Sequence, residues 1–355
     1  MTNTERLPKL DILRAFSALL VILYHQGVPG VSASLGVLTF FVLSGFLITH
    51  LLVLETRRQG TINLRSFYRR RALRLFPAFY VYWFIAVVDT ALKHRPVWAT
   101  AVCSFLYVNN YYQGLHGYPH SLLAHTWSLG VEEQFYLVWP GLFLLFHQRL
   151  DKLRRILLFL IPSLWAYRTI LYFHGVSDPY LYTSLETRID GILVGCLVAL
   201  MWQTDLGVRL RKRFCRTSYL LITFSLLGLS QATESRYGLA YRDVFGFALN
   251  PLLLAVMIVQ FVDWGKAAWM DSPPFAYLGR ISYSTYLYQE MVLPVVGHLH
   301  LPMAAAALTC CVSTWLVASV SYALVERPFL RIKQRADPLC VEATRLRKDG
   351  LPAGT

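Results

Sequence analysis

The strongest constraint on this chain is the recurrence of apolar runs of bilayer length. A helix needs about 20 mostly apolar residues to cross the hydrocarbon core of a membrane, and such runs return from residue 10 to residue 325. The pattern predicts helices over 10–26, 35–54, 75–92, 130–146, 156–173, 189–202, 218–231, 243–262, 277–297 and 304–325. The expected fold is all-α, a polytopic membrane helix bundle of about ten transmembrane helices. A soluble domain on a single anchor is excluded. Composition agrees, with 55% hydrophobic and 15% charged residues, against about a quarter charged in soluble domains. Function therefore has to sit within the bundle or at its edges.

A net charge of +14 would suggest nucleic acid in a soluble protein. In a polytopic one Lys and Arg collect in cytoplasmic loops, so the lipid bilayer is the expected partner and nucleic acid is not. Segment 55–74 holds seven arginines against one glutamate, which puts it and the N-terminus in the cytoplasm. A further run, 98–108, is short. If it does not cross, loops 148–155 and 203–217 and the tail after Glu326, all rich in Lys or Arg, also fall inside. Both termini are then cytoplasmic, and 93–129 forms a long outer segment that can dip back into the bundle. Residues 1–335 read as one membrane-embedded domain and 336–355 as a short, disordered cytoplasmic tail.

Arg6, Lys9 and Val31-Ser32-Ala33 imitate a cleavable signal peptide, but Asp11 and Arg14 interrupt it, so the first helix is expected to be retained. The six cysteines have neither zinc-site nor disulfide-framework spacing. No internal repeat is visible, which weighs against a transporter built from repeated halves.

Ionisable groups inside lipid-spanning helices are costly and tend to be buried together and used. Arg14 and His25 fall on nearly the same helical face about 16 Å apart, with Asp11 within roughly 60° of that stripe. For Asp11 and Arg14 the simplest account is a structural pair at i, i+3. His25 is either an interfacial histidine at a helix end or a proton acceptor, since imidazole titrates near physiological pH. Glu132 and Glu133 enter a second apolar helix, where the dipole favours carboxylates; Glu132 lies one turn after Ser128 and one before Tyr136. Asp190, with Arg188, opens a third. His25, Glu132 or Glu133, and Asp190 should therefore lie at similar depth. Arg69, Arg70, Arg71 and Arg74 either mark topology or hold an anionic, phosphate-bearing ligand.

These residues resemble the acyltransferase 3 family of integral membrane acyltransferases, which includes O-antigen, Nod-factor and macrolide O-acyltransferases. The likeness is carried in order by Leu10-Asp11 with Arg14 and His25, FFVLSGFLI (40–48), RRRALRLFP (69–77), HTWSLGVEEQFYLVWP (125–140), RIDGILVG (188–195), LGRISYSTYL (278–287) and VERPF (325–329). Many members carry a histidine two residues after SYxxYL. Gln289 stands there in this chain.

The resemblance implies a bacterial inner-membrane enzyme that uses acyl-CoA, most often acetyl-CoA, as co-substrate. The acceptor would be a hydroxyl of a sugar or glycosylated molecule. No metal or bound cofactor is implied. Arg14 and His25 match the family's Arg-x10-His, Arg71 and Arg74 its RxxR, and Glu132 the acid of its WSL motif. A thioester has a good leaving group, so the minimum requirement is one base for the attacking hydroxyl. His25 is the expected base, oriented by Glu132 or Asp190, with Asp11, Glu133 and Ser128 as possible support. An acyl-His25 intermediate is the variant. Arg14 would steady developing charge, and Arg69, Arg71 and Arg74 would hold the donor phosphates. Ser44 is expected to hydrogen-bond near the donor rather than act as nucleophile. The alternative is a transporter or flippase of a glycolipid or polysaccharide precursor, its intramembrane charges forming a path.

Overall fold

The computed structural model describes residues 9–93, 98–215, 217–263 and 272–335. The expected tail 336–355, Cys340 and Arg6 lie outside them. Among the described residues the regular structure is entirely helical. The chain runs through α1 (Lys9–His25), α2 (Ala33–Gln59), α3 (Leu64–Leu92), α4 (Trp98–Phe105), α5 (Asn109–His116), α6 (Thr126–Phe146), α7 (Leu150–Phe173), α8 (Asp178–Thr183), α9 (Leu185–Met201) and α10 (Asp205–Phe214). It continues through α11 (Thr217–Tyr237), α12 (Leu239–Asp263), α13 (Pro273–Gly297) and α14 (Met303–Ile332).

Each of the ten apolar runs falls on one of these helices. By length and composition, α2, α3, α7, α12 and α14 are each able to cross a membrane, and α8–α9 joined to α10 through a 107° bend forms a sixth candidate. The helices α1 and α9 are 17 residues long, while polar residues dilute α6, α11 and α13. The result is a polytopic helical membrane bundle.

Two local signals fix the first long hairpin. Ser32 caps α2 by accepting from the Leu35 N–H, and Asn63 caps α3 by accepting from the Ser66 N–H at 2.9 Å. These contacts satisfy amide donors that a helix start leaves unpaired. Glu55 and Arg70 then tie the two helices at 2.9 Å.

The run 98–108 does not cross. Its helix α4 has eight residues, about 12 Å of rise against about 30 Å of hydrocarbon. The connection from α4 to α6 is instead held inside the bundle by polar side chains serving backbone groups. Asn109, Asn110 and Gln113 are buried; Asn109 donates to the Leu123 carbonyl at 3.0 Å, and Gln134 of α6 donates to the Tyr107 carbonyl at 2.7 Å.

The helix pair that anchors the bundle is α2 with α9, and its closeness is written in two motifs. A Cβ on Gly45 would lie 1.9 Å from the Ile192 carbonyl oxygen, and one on Gly195 2.0 Å from the Val42 carbonyl oxygen. The FFVLSGFLI and RIDGILVG segments therefore meet glycine to backbone, the small-residue contact that lets membrane helices pack without a hydrophobic driving force. Around it lie Phe41, Phe46, Leu38 and Ile192, all essentially inaccessible.

Candidate active site

Five helices, α1, α2, α3, α6 and α13, enclose a cavity of about 90 Å³, room for a few waters or a small acyl group at about 10–15 Å³ per water. Its polar wall brings together Arg14 from α1, Ser44 from α2, Arg71 and Arg74 from α3, and Ser128 and Glu132 from α6. Six residues read from four separate stretches of sequence thus share one space. Tyr136, Tyr283 and Tyr286 complete the wall.

Glu132 is held at both carboxylate oxygens. Ser44 Oγ donates to Oε1 at 2.9 Å, and the Tyr136 hydroxyl lies 3.3 Å from Oε2 and 2.9 Å from Ser44 Oγ. Ser44 is thus hydrogen-bonded to both Glu132 and Tyr136. Above the Tyr136 ring sits the Arg71 guanidinium, 3.7 Å from the centroid, close enough for a substantial cation–π attraction. Arg71 Nε is buried without a hydrogen-bond partner.

Arg14 is paired with Asp11 at 3.0 Å, and Asp11 is buried between helices, so the i, i+3 pairing is observed. Among the described residues neither Arg71 nor Arg74 sits in a salt bridge. The lining therefore holds three guanidiniums against one carboxylate, an excess of positive charge that suits an anionic ligand. Glu326, placed by a π-helical turn at Tyr322–Glu326, accepts from Ser284 of α13 behind this wall.

His25 is not part of the lining. It closes α1 at the other end, 30% exposed, with Nδ1 3.3 Å from Glu290 Oε1 of α13. The carboxylate beside His25 is therefore neither Glu132 nor Asp190. A polar seam leads out of the cavity wall: Ser128 Oγ lies 2.6 Å from the Tyr286 hydroxyl, which is 3.1 Å from the His125 carbonyl oxygen. The His125 ring packs edge-on against Tyr82 and Tyr286, with centroids 5.4 Å apart in each case.

The other expected residues lie elsewhere. Asp190 accepts from Arg168 Nη1 at 2.8 Å, a pair with side chains 2% and 0% exposed. Arg168 also donates to the carbonyls of Thr187 and Asp243 at 2.7 and 3.0 Å. Arg188 stacks on Phe247, 3.5 Å from the ring centroid. Glu133 is absent from the cavity wall, and Arg69 is exposed on the outside of α3. Sequence reasoning missed Glu290 and Arg168, although each is a lone charge of its sign in its apolar run, which is signal enough.

A family model described as an acyltransferase domain matches residues 7–325. The chain belongs to this acyltransferase family. Among curated relatives, a peptidoglycan O-acetyltransferase, OatA, of Listeria monocytogenes is 30% identical, the match covering 92% of this chain and 56% of the relative. An O-acetyltransferase, OatA, of Staphylococcus aureus is 28% identical over 92% of this chain and 58% of its own length. A putative peptidoglycan O-acetyltransferase, YrhL, of Bacillus subtilis is 30% identical over 91% and 54%. The chain thus spans a little over half the length of these family members. No solved structure matches it.

Proposed function

We propose that the chain is an integral membrane O-acyltransferase that moves an acyl group, acetyl in the first instance, from acyl-CoA to a hydroxyl of a peptidoglycan or related glycan. The observation that carries this is the cavity in which Arg14, Arg71 and Arg74 face one carboxylate, Glu132, within a chain of this family. Three fixed guanidiniums bind phosphate oxygens with good geometry, and CoA is the phosphate-bearing molecule the chemistry needs. The cavity is too small for the whole donor, so the arginines would grip its phosphates at the cavity wall while the adenosine lies outside.

In this scheme His25 is the base. The acceptor oxygen attacks the thioester carbonyl while His25 takes its proton, the C–S bond breaks, and the CoA thiolate leaves and receives that proton. Positioned general bases supply about 10²- to 10⁴-fold. The roughly 16 Å along α1 between Arg14 and His25 matches a donor anchored at the arginines with its acyl end reaching outward. Arg14 would bind the donor with Arg71 and Arg74, and Glu132 would hold Ser44 and Tyr136 in the cavity wall. The excess of Lys and Arg in segment 55–74 and in the loops after α6 and α9 supports a ten-crossing inner-membrane topology with both termini cytoplasmic, and residues 1–335 as the membrane-embedded domain.

Mass spectrometry of muropeptides from cells with and without the gene tests the proposal. An acyl-sized, alkali-labile mass gain should appear only with the wild-type gene and vanish with His25→Ala. A wild-type level of ester with His25→Ala would remove the base, and glycans unchanged by the gene would remove the acceptor class.

A further inference from the structure

We propose that Glu290 is the positioning residue for His25, holding the imidazole in the tautomer whose Nε2 faces the acceptor hydroxyl. This rests on His25 being the base. Glu290 is the one carboxylate in α13, and a carboxylate set in an apolar run calls for a partner. Its Oε1 stands 3.3 Å from His25 Nδ1, with side chains 21% and 30% exposed. The two residues come from helices that pack along their length, α1 and α13, so the contact joins two rigid elements rather than two loops.

The register of α13 explains why this residue and not its neighbour does the work. Successive residues turn by about 100°. Gln289, fully buried, has both side-chain amide atoms without a hydrogen-bond partner among the described residues, so it does not bond His25. The carboxylate one position later faces α1 instead. The neighbouring Tyr24 ring sits edge-on to the imidazole, with centroids 5.6 Å apart, and limits how far it can swing.

The proton balance is simple. With Nδ1–H directed at Glu290, Nε2 carries the lone pair and accepts the hydroxyl proton. The carboxylate stabilises the imidazolium that forms, without itself becoming protonated, in the manner of other base–carboxylate pairs. Nε2–H then returns the proton to the departing thiolate. At 3.3 Å the contact is longer than a tight hydrogen bond, as such contacts often are before substrate binds.

The test uses the full-length chain purified in nanodiscs, with acetyl-CoA as donor and soluble, de-O-acetylated peptidoglycan fragments as the acceptor probe. CoA release and ester formation are measured per mole of monodisperse protein. Glu290→Ala is expected to lower kcat roughly 10- to 100-fold with the KM for acetyl-CoA unchanged. Glu290→Asp, which keeps the carboxylate, should recover part of the loss, while Glu290→Gln, of the same size but uncharged and able to turn its amide N–H toward Nδ1, should fold like the wild type and stay impaired. In a His25→Ala background, Glu290→Ala should add no further loss, because the two act as one unit. Full activity of Glu290→Ala beside an inactive His25→Ala would overturn this inference alone. So would a Glu290→Ala defect that persists undiminished without His25, or a well-folded Glu290→Gln with wild-type kcat. Full activity of His25→Ala would instead overturn the parent proposal.

Discussion

Gly279 and Asp11 meet at the closest approach of α13 to α1: a Cβ on Gly279 would lie 2.2 Å from the Asp11 Cβ and 2.6 Å from its Cα. Asp11 in turn holds Arg14 at 3.0 Å. The glycine of the LGRISYSTYL segment thus sets the position of an arginine on a different helix. Because part of the clash is with backbone, rotamer adjustment cannot relieve it.

Gly279→Ala should therefore part the helices, at about 1–3 kcal/mol for an overpacked contact. It should also move Arg14 out of the cavity wall. The expected result is a lower thermal unfolding midpoint in detergent together with a loss of acyl transfer greater than the loss of folded protein. An alanine variant with wild-type melting and wild-type activity would show that the helices do not approach this closely.

Asp190 should behave as a structural residue. It and Arg168 are both fully buried and paired at 2.8 Å, and removing one partner of such a pair costs about 3–5 kcal/mol because the other charge is left uncompensated. Asp190→Ala is expected to reduce the yield of monodisperse protein severely, while activity per mole of what folds stays within a few-fold of wild type. The double variant Arg168→Met, Asp190→Leu should recover much of the stability, as apolar replacements of buried pairs commonly do. Undiminished stability with abolished turnover in Asp190→Ala would put Asp190 in the chemistry instead.

The sequence makes visible the residues that sit in short local patterns and hides those whose meaning depends on a second helix. Arg14, Ser44, Arg71, Arg74, Ser128 and Glu132 were each legible from their own segment, and the cavity collects them. Asp190 was matched to His25 by depth in the membrane. Depth follows from position along a helix, but azimuth depends on packing, and α9 turns Asp190 toward Arg168 of α7. His25 finds its carboxylate on α13 for the same reason: the pairing of α1 with α13 spans more than 260 residues of sequence and leaves no local trace. Helix positions were readable because apolar run length and charge are one-dimensional properties; the run 98–108 has the length of a core helix or re-entrant segment, and only packing shows how it is held.

The Ser44–Glu132–Tyr136 triangle predicts coupled rather than additive defects. Each contact is an ordinary hydrogen bond, worth about 0.5–1.5 kcal/mol, or more where the acceptor is charged. Ser44→Ala is expected to lower turnover by about 2- to 12-fold on that scale, which is far from the collapse that loss of a nucleophile would bring. Because the Tyr136 hydroxyl approaches both Ser44 and Glu132, a cycle with Tyr136→Phe should give an interaction energy of about 0.5 kcal/mol or more. Complete inactivity of Ser44→Ala in well-folded protein would make Ser44 a reacting group.

Arg71 and Arg74 should separate donor binding from chemistry. Both line the cavity without a salt-bridge partner among the described residues, so their charge is uncommitted in a way that the charge of Arg14, spent on Asp11, is not. Lysine keeps the charge but loses the planar fork that grips phosphate through two donors. Arg74→Lys is accordingly expected to raise the KM for acetyl-CoA about tenfold, the equivalent of roughly one charge-assisted hydrogen bond, with kcat changed less. Arg71→Lys should do the same and also lose the stacking on Tyr136, so its kcat should fall further as Glu132 loses a fixed neighbour. Steady-state kinetics across acetyl-CoA concentration, at two salt concentrations, read the split directly. An unchanged KM in both variants would remove the arginines from donor binding and return them to the topological role that their position near the start of α3 already explains.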